Sequence, residues 1–419
     1  MAKTLLIVGY VWPEPRSSAA GTRIVQLIRW AQAAGYRVTF ACAAEKGANF
    51  DELDGLGIAS LAIALNCSSF DQALAELQPT LVIFDRFVTE EQFGWRVQQV
   101  CPTALRLLDS EDLHCLRDAR QRAHKAQAEV LNPSNEFLYS DMAQREIAAI
   151  YRCDLTLVIS DAEVALLQQR FRVPAALLMH CPFMYQPPTA QQWPSYADKQ
   201  HFIFIGNYLH APNWDAILWL RELWPAIRKQ LPQAELHIYG AYPPKKAMQL
   251  DNPSLGFRVL GWAKDALQVM ASARVCLAPL RFGAGIKGKL AEAMICGTPS
   301  ITTDIGAEGM NQLQQLPWPG VIANAPDDLV AAAVALYTDQ ALWLEAQAQG
   351  LVNVAVLFDR ARLEADLTAR VDSILQDLGR HRLDNFMGNL LLQQQYRSTE
   401  FMSRWIEVKS KLKRLEQVD

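Results

Sequence analysis

Short apolar runs alternate with longer helix-like stretches along the whole of this 419-residue chain, and that alternation restricts the fold more than any other feature. In the first half the runs fall at residues 5–8, 37–41, 81–84, 104–108 and 155–159. Their residues are apolar consecutively rather than at every second position, as suits strands covered on both faces. Strands separated by helices need crossover connections, so the expected product is a parallel, doubly wound sheet. The pattern breaks at a polar, Pro-rich stretch, residues 186–194, which reads as a linker. It restarts with runs at 201–205, 235–239, 275–278 and 300–303. The fold class expected is therefore α/β, with two doubly wound parallel-sheet domains. The boundaries expected are 1–186, 200–378 and a helical extension at 379–419.

Bulk properties exclude several functions. A net charge of −4 does not suit a nucleic-acid binder, which needs an excess of Lys and Arg. The 8 cysteines include no pair at Cys-x-x-Cys spacing, and most sit in apolar runs, as in reduced proteins of the cytoplasm. The first apolar run is too short for a signal peptide and none is long enough to span a bilayer. A cytoplasmic protein, peripheral at most to the inner face of the membrane, is expected. No Gly-x-Gly-x-x-Gly follows the first strand, which argues against a dinucleotide enzyme.

The densest chemical signal runs from Pro279 to Pro299. A strand ends, a turn with Gly283, Gly285 and Ile286 follows, and a helix opens near Lys287. Glycines let backbone approach a ligand closely, and the amides at a helix start favour an anion. Lys287 and Lys289 add charge there, which suits a diphosphate. Glu292, one to two turns on, is placed to accept two hydrogen bonds from a vicinal diol such as a ribose.

This run, with Ile301–Gly309 after it, resembles the donor-site signature of glycosyltransferase family 4. The resemblance extends back to Gly206-Asn207, His210–Asn213 and Trp224–Ile227. It implies the GT-B fold, two Rossmann-like domains facing across a cleft, and transfer from a nucleotide sugar (UDP-, GDP- or other) as co-substrate. It further implies retention of anomeric configuration, no metal and no permanently bound cofactor. Glu292 matches the second Glu of the family's E-x7-E motif, while the first falls on Ala284 and is absent. The usual Arg and Lys after the first strand of the second domain are also absent, so Lys287 and Lys289, with His210 as a further candidate, are left to carry the charge expected at the diphosphate.

The resemblance places Gly206 and Asn207 beside the donor, and Gly21 and Arg23, after the first strand, near its phosphate or sugar. Asp109, Glu111 and His114, after a first-domain strand, face the acceptor, with Asp85-Arg86 on the same rim. The catalytic set expected is Lys289, His114 and Asp109. A glycan, a lipid-linked sugar or a protein is the acceptor expected, and no nucleic acid. The C-terminal helix reads as docked on a domain, as a homo-oligomer contact or as a membrane-surface foot. Two alternatives share the fold: a silent scaffold that binds nucleotide sugar, and an epimerase that activates water.

Overall fold

A computed structural model describes residues 3–47, 53–188, 193–310 and 315–415. Part of the expected linker, residues 189–192, lies outside them. Two parallel sheets form. The first has seven strands in the order β3-β2-β1-β4-β5-β6-β7: β1 (Thr4–Gly9), β2 (Arg37–Cys42), β3 (Ala59–Ala62), β4 (Leu81–Asp85), β5 (Leu105–Asp109), β6 (Leu155–Val158) and β7 (Leu178–His180). The second has six, in the order β10-β9-β8-β11-β12-β13: β8 (Gln200–Ile205), β9 (Leu236–Tyr239), β10 (Phe257–Gly261), β11 (Ala273–Ala278), β12 (Ser300–Thr302) and β13 (Gly320–Ile322).

Among the central strands, β1 and β4 carry unbroken apolar runs, at residues 5–8 and 81–84, whereas buried Arg106 interrupts β5 and buried Thr156 interrupts β6. Along β1, Leu6 and Val8 join the core on one face of the sheet, while Leu5 and Ile7 join the core on the other. Each fully buried side chain of this size contributes about 1.5–3 kcal/mol. The strands missed by the sequence reading, β3, β7, β10 and β13, are the outermost ones. Ala59, Ser60 and Ala62 of β3 are exposed, and β13 is half-buried throughout, so neither needs a continuous apolar run.

Strand order reverses on either side of β1 in the first sheet and of β8 in the second, and the loops at the carboxyl ends of the strands meet between the domains. This is where a doubly wound sheet presents its ligand site.

The C-terminal region departs from the expected boundary. The chain returns to the first domain at Phe358 rather than at 378: the backbone N–H of Tyr185 donates to the Phe358 carbonyl. Leu363, Leu367, Val371 and Ile374 of the following helix (Arg360–Gln376) then complete the first-domain core beside Trp30. The last helix, Phe386–Leu415, lies on the first domain as well. Tyr396 is 6% exposed and donates to Glu90, whose carboxylate also holds buried Arg152. Tyr396→Phe should lower stability by about 1.5–3 kcal/mol, the contribution of a hydrogen bond to a charged group. A urea titration followed by far-UV circular dichroism checks this.

Candidate active site

The cleft between the domains encloses about 1000 Å³. Its second-domain wall is built by the turn after β11. Gly285 has φ +63°, and a Cβ there would lie 2.7 Å from the Cβ of Asp112 in the first domain. Glycine therefore satisfies two demands at once, a left-handed backbone and close approach across the cleft. The helix that follows spans Gly288–Ile295, with Lys287 as its N-cap residue.

Lys289 and Glu292 both line the cleft. The Lys289 Nζ donates to Asn213 Oδ1 at 2.8 Å, and Asn213 Nδ2 donates to the Asn207 carbonyl at 2.9 Å. Burial lowers the Lys289 ammonium to about 8. Burial raises Glu292 to about 7, with nearby Lys289 opposing. Lys287 is used differently: its Nζ donates to the Gly285 carbonyl at 2.7 Å and so braces the turn. Burial, opposed by Glu308, lowers Lys287 to about 8.

Gly206, Asn207, Gly21, Gly283, Gly285, Ile286 and His114 also line the cleft. Several of their amides and carbonyls are already committed. The helix after β1 spans Ala19–Ala33, so Gly21 lies in its first turn and its N–H donates to the Ser18 side chain at 3.0 Å. A Cβ at Gly21 would fall 2.5–2.7 Å from the Glu14 backbone, so the bare glycine serves the loop's own packing. The Gly285 N–H donates to Glu163 Oε1 at 2.8 Å rather than standing open to a sugar.

Arg23 and Asp109 do not reach the cleft. They are 1% and 0% exposed and pair with each other at 2.7–3.0 Å, and Arg23 Nη1 donates to the Cys181 carbonyl at 2.7 Å. The sequence expectation for both is corrected: Arg23, on the helix after β1, and Asp109, at the end of β5, turn toward each other between helix and sheet and neutralise each other. Neither expectation could anticipate which way the side chains turn.

The first-domain wall is polar and strained. Arg86 and Glu111 take φ +70° and +57° at the ends of β4 and β5, conformations that cost non-glycine residues free energy and cluster at functional sites. Glu111 is raised to about 8 by burial, reinforced by Asp109. Burial, opposed by Asp112, lowers His114 to about 4, so its imidazole is neutral at pH 7. Asp112 itself stays below the usual carboxylate range: burial, which would raise it, is outweighed by Arg117.

Sequence reasoning missed the side chains that tie the two walls together. Arg120 donates to the Gly283 carbonyl at 2.9 Å, to the Leu131 carbonyl and, through two nitrogens at 2.6 Å, to both oxygens of Glu308. Tyr242 donates to Glu14 across the opposite rim at 2.7 Å. Arg120 lies in the polar segment after β5, and Glu308 in Ala307-Glu308-Gly309. Charge opposite in sign on the two segments was the available signal. Outside the cleft, at the amino ends of β8 and β9, His201, Glu235 and His237 bring ligand-type atoms within 4.8 Å of one another. That group takes no part in the cleft.

Solved structures with the same arrangement cover nearly the whole molecule. Sucrose-phosphate synthase (tll1590) from Thermosynechococcus elongatus superposes with a TM-score of 0.63 at 17% identity, over 89% of this chain and 99% of that one. Anabaena Alr3699/HepE in complex with UDP and glucose gives 0.66 at 15% identity, over 88% and 99%. A mutant of S. aureus TarM in complex with Fondaparinux, alpha-GlcNAc-glycerol and UDP gives 0.67 at 10% identity, again over 88% and 99%.

The chain has the GT-B fold.

Within it, residues 199–339 match the family model described as Glycosyl transferases group 1. That segment runs from β8 past β13, includes the Gly288–Ile295 helix and carries the second-domain wall of the GT-B cleft. No curated protein sequence matches the chain.

Proposed function

We propose that this protein transfers a sugar from a nucleotide-sugar donor to an acceptor hydroxyl, with retention and without a metal ion. One observation carries the reading: Glu292, its carboxylate without a hydrogen-bond partner among the described residues, stands in the cleft beside Lys289 on a helix whose N-terminus opens there. A ribose diol supplies the two O–H donors that this carboxylate lacks. UDP is the nucleotide favoured, since UDP is bound in the Alr3699/HepE and TarM complexes.

In this reading the first-turn amides of Gly288 and Lys289, with the Lys289 ammonium, face the diphosphate. Charge grows on the β-phosphate as the bond to the anomeric carbon breaks, and fixed cations and amides stabilise it. The acceptor oxygen attacks the same face of that carbon, and its proton passes to the departing phosphate oxygen. His114, neutral and on the opposite wall, orients the acceptor, with Glu111 and Asp85 beside it. Lys287 keeps the Gly283–Ile286 turn in shape, and Gly206-Asn207 hold Asn213 against Lys289.

Lys289→Ala tests this. Turnover of UDP-sugar should fall by about 10²–10³, or roughly 2.7–4 kcal/mol, the usual effect of deleting one donor to a developing charge. UDP release from UDP-glucose and related donors, followed by a coupled assay, reports it. Equal turnover by the variant would remove Lys289 from the reaction. Binding of UDP with no turnover on any acceptor class would favour a silent nucleotide-sugar binder.

A further inference from the structure

We infer that the C-terminal helix docks this protein on an anionic lipid surface, through the stripe formed by Phe401, Trp405, Val408 and Leu412. These four residues are 55–67% exposed. Their spacing of four, three and four residues aligns them along one side of the Phe386–Leu415 helix. Met387 and Leu390, also exposed, continue the same line toward its start. The opposite side is the one that packs on the first domain, through Tyr396, Ser403 and Glu407. The stripe is therefore not a core face awaiting its own domain, because that side of the helix is already used.

Charge selects the occupant. Arg404 and Lys411 flank the stripe on one side, Lys409 and Lys413 on the other, and all four are exposed. The two acids of this half-helix are turned toward the chain's own groups: Glu400 pairs with Arg404 at 2.9 Å, and Glu407 with Ser68 and Lys411. These pairs balance the Arg404 and Lys411 flank and leave Lys409 and Lys413 without a carboxylate among the described residues. A second copy laid antiparallel on the stripe would therefore bring those lysines against each other, the reverse of the opposite charges that join coiled coils. Arg397 on the line of the stripe would also be buried between the copies. A bilayer with anionic headgroups matches both features: Trp and Phe enter the interface, and Lys409 and Lys413 reach phosphate oxygens. No helix of the described residues is long and apolar enough to cross a membrane, so the contact is peripheral.

Co-sedimentation of the full chain with vesicles tests the inference. Vesicles of phosphatidylcholine with about one-third phosphatidylglycerol should capture the protein, and pure phosphatidylcholine vesicles should capture at least tenfold less, since the flanking charge is the selective element. The double variant F401S/W405S should lose binding at least tenfold while keeping the wild-type melting temperature, because both side chains lie outside the packed face. The charge-reversal pair K409E/K413E should lose it as well and, unlike the apolar variant, abolish the preference for phosphatidylglycerol. Absence of capture by either vesicle overturns the proposal. So does a dimer, seen by light scattering without lipid, that F401S/W405S converts to monomer, since a second copy would then be the occupant.

Discussion

Glu292→Gln is expected to abolish the thermal shift that UDP confers on this protein. A ligand held at 100 times its dissociation constant stabilises a fold by about 2.7 kcal/mol. Hydrogen bonds to an ionised acceptor contribute about 1.5–3 kcal/mol each. Losing the pair from a ribose diol therefore weakens UDP by roughly 3–6 kcal/mol, about 10²–10⁴-fold. Calorimetric titration measures it directly. The pH dependence has a definite sign. Burial raises Glu292 from 4.5 to about 7 in the empty protein, with Lys289 opposing. Between those values the folded protein keeps a proton that the unfolded chain has released, so this group's contribution to stability falls as pH rises through the window. UDP needs the carboxylate, so its affinity should drop about tenfold per unit below pH 7, and Glu292→Gln should remove that dependence. Equal affinity of the two proteins for UDP would move the ribose elsewhere.

Asp109→Ala is expected to cost about 3–5 kcal/mol of stability, because it strands a buried charge. Arg23 is 1% exposed, and its pKa is driven upward: burial would lower it, but Asp109 more than compensates. It cannot shed its proton when the partner is removed. The carbonyls of Cys181 and Pro182 remain as its acceptors and do not neutralise it. Urea unfolding reads the loss, while the UDP affinity of the folded protein should stay within about twofold of wild type, since independent sites are additive. Replacing both partners together, R23M/D109L, should recover most of the deficit, as apolar replacements of buried pairs do. A stable Asp109→Ala protein with selectively lost transfer would return Asp109 to the acceptor side.

The contrast between these two carboxylates shows how far a sequence can be read. Glu292 follows a glycine turn and a helix start within one local segment, and its distance from both is set by helical geometry. Its position in the cleft was therefore legible. Asp109 ends a strand at the cleft and looked equally polar, but a neighbouring helix points Arg23 at it. The same holds for Gly21, whose missing side chain suggested a ligand and instead admits the Glu14 backbone.

What the sequence determined by itself was local and periodic: the central strands, whose burial on both faces favours mostly apolar runs, the two-domain plan, and the strand-turn-helix that holds Lys289 and Glu292. Tertiary structure alone decided the rest. The edge strands carry no strong pattern because half of each is left to solvent. The return of the chain at Phe358, the clasp of Arg120 on Glu308 and the burial of Arg23 on Asp109 join residues far apart in the chain. Such pairs are selected by where packed elements bring them, and no periodicity of a single segment records that.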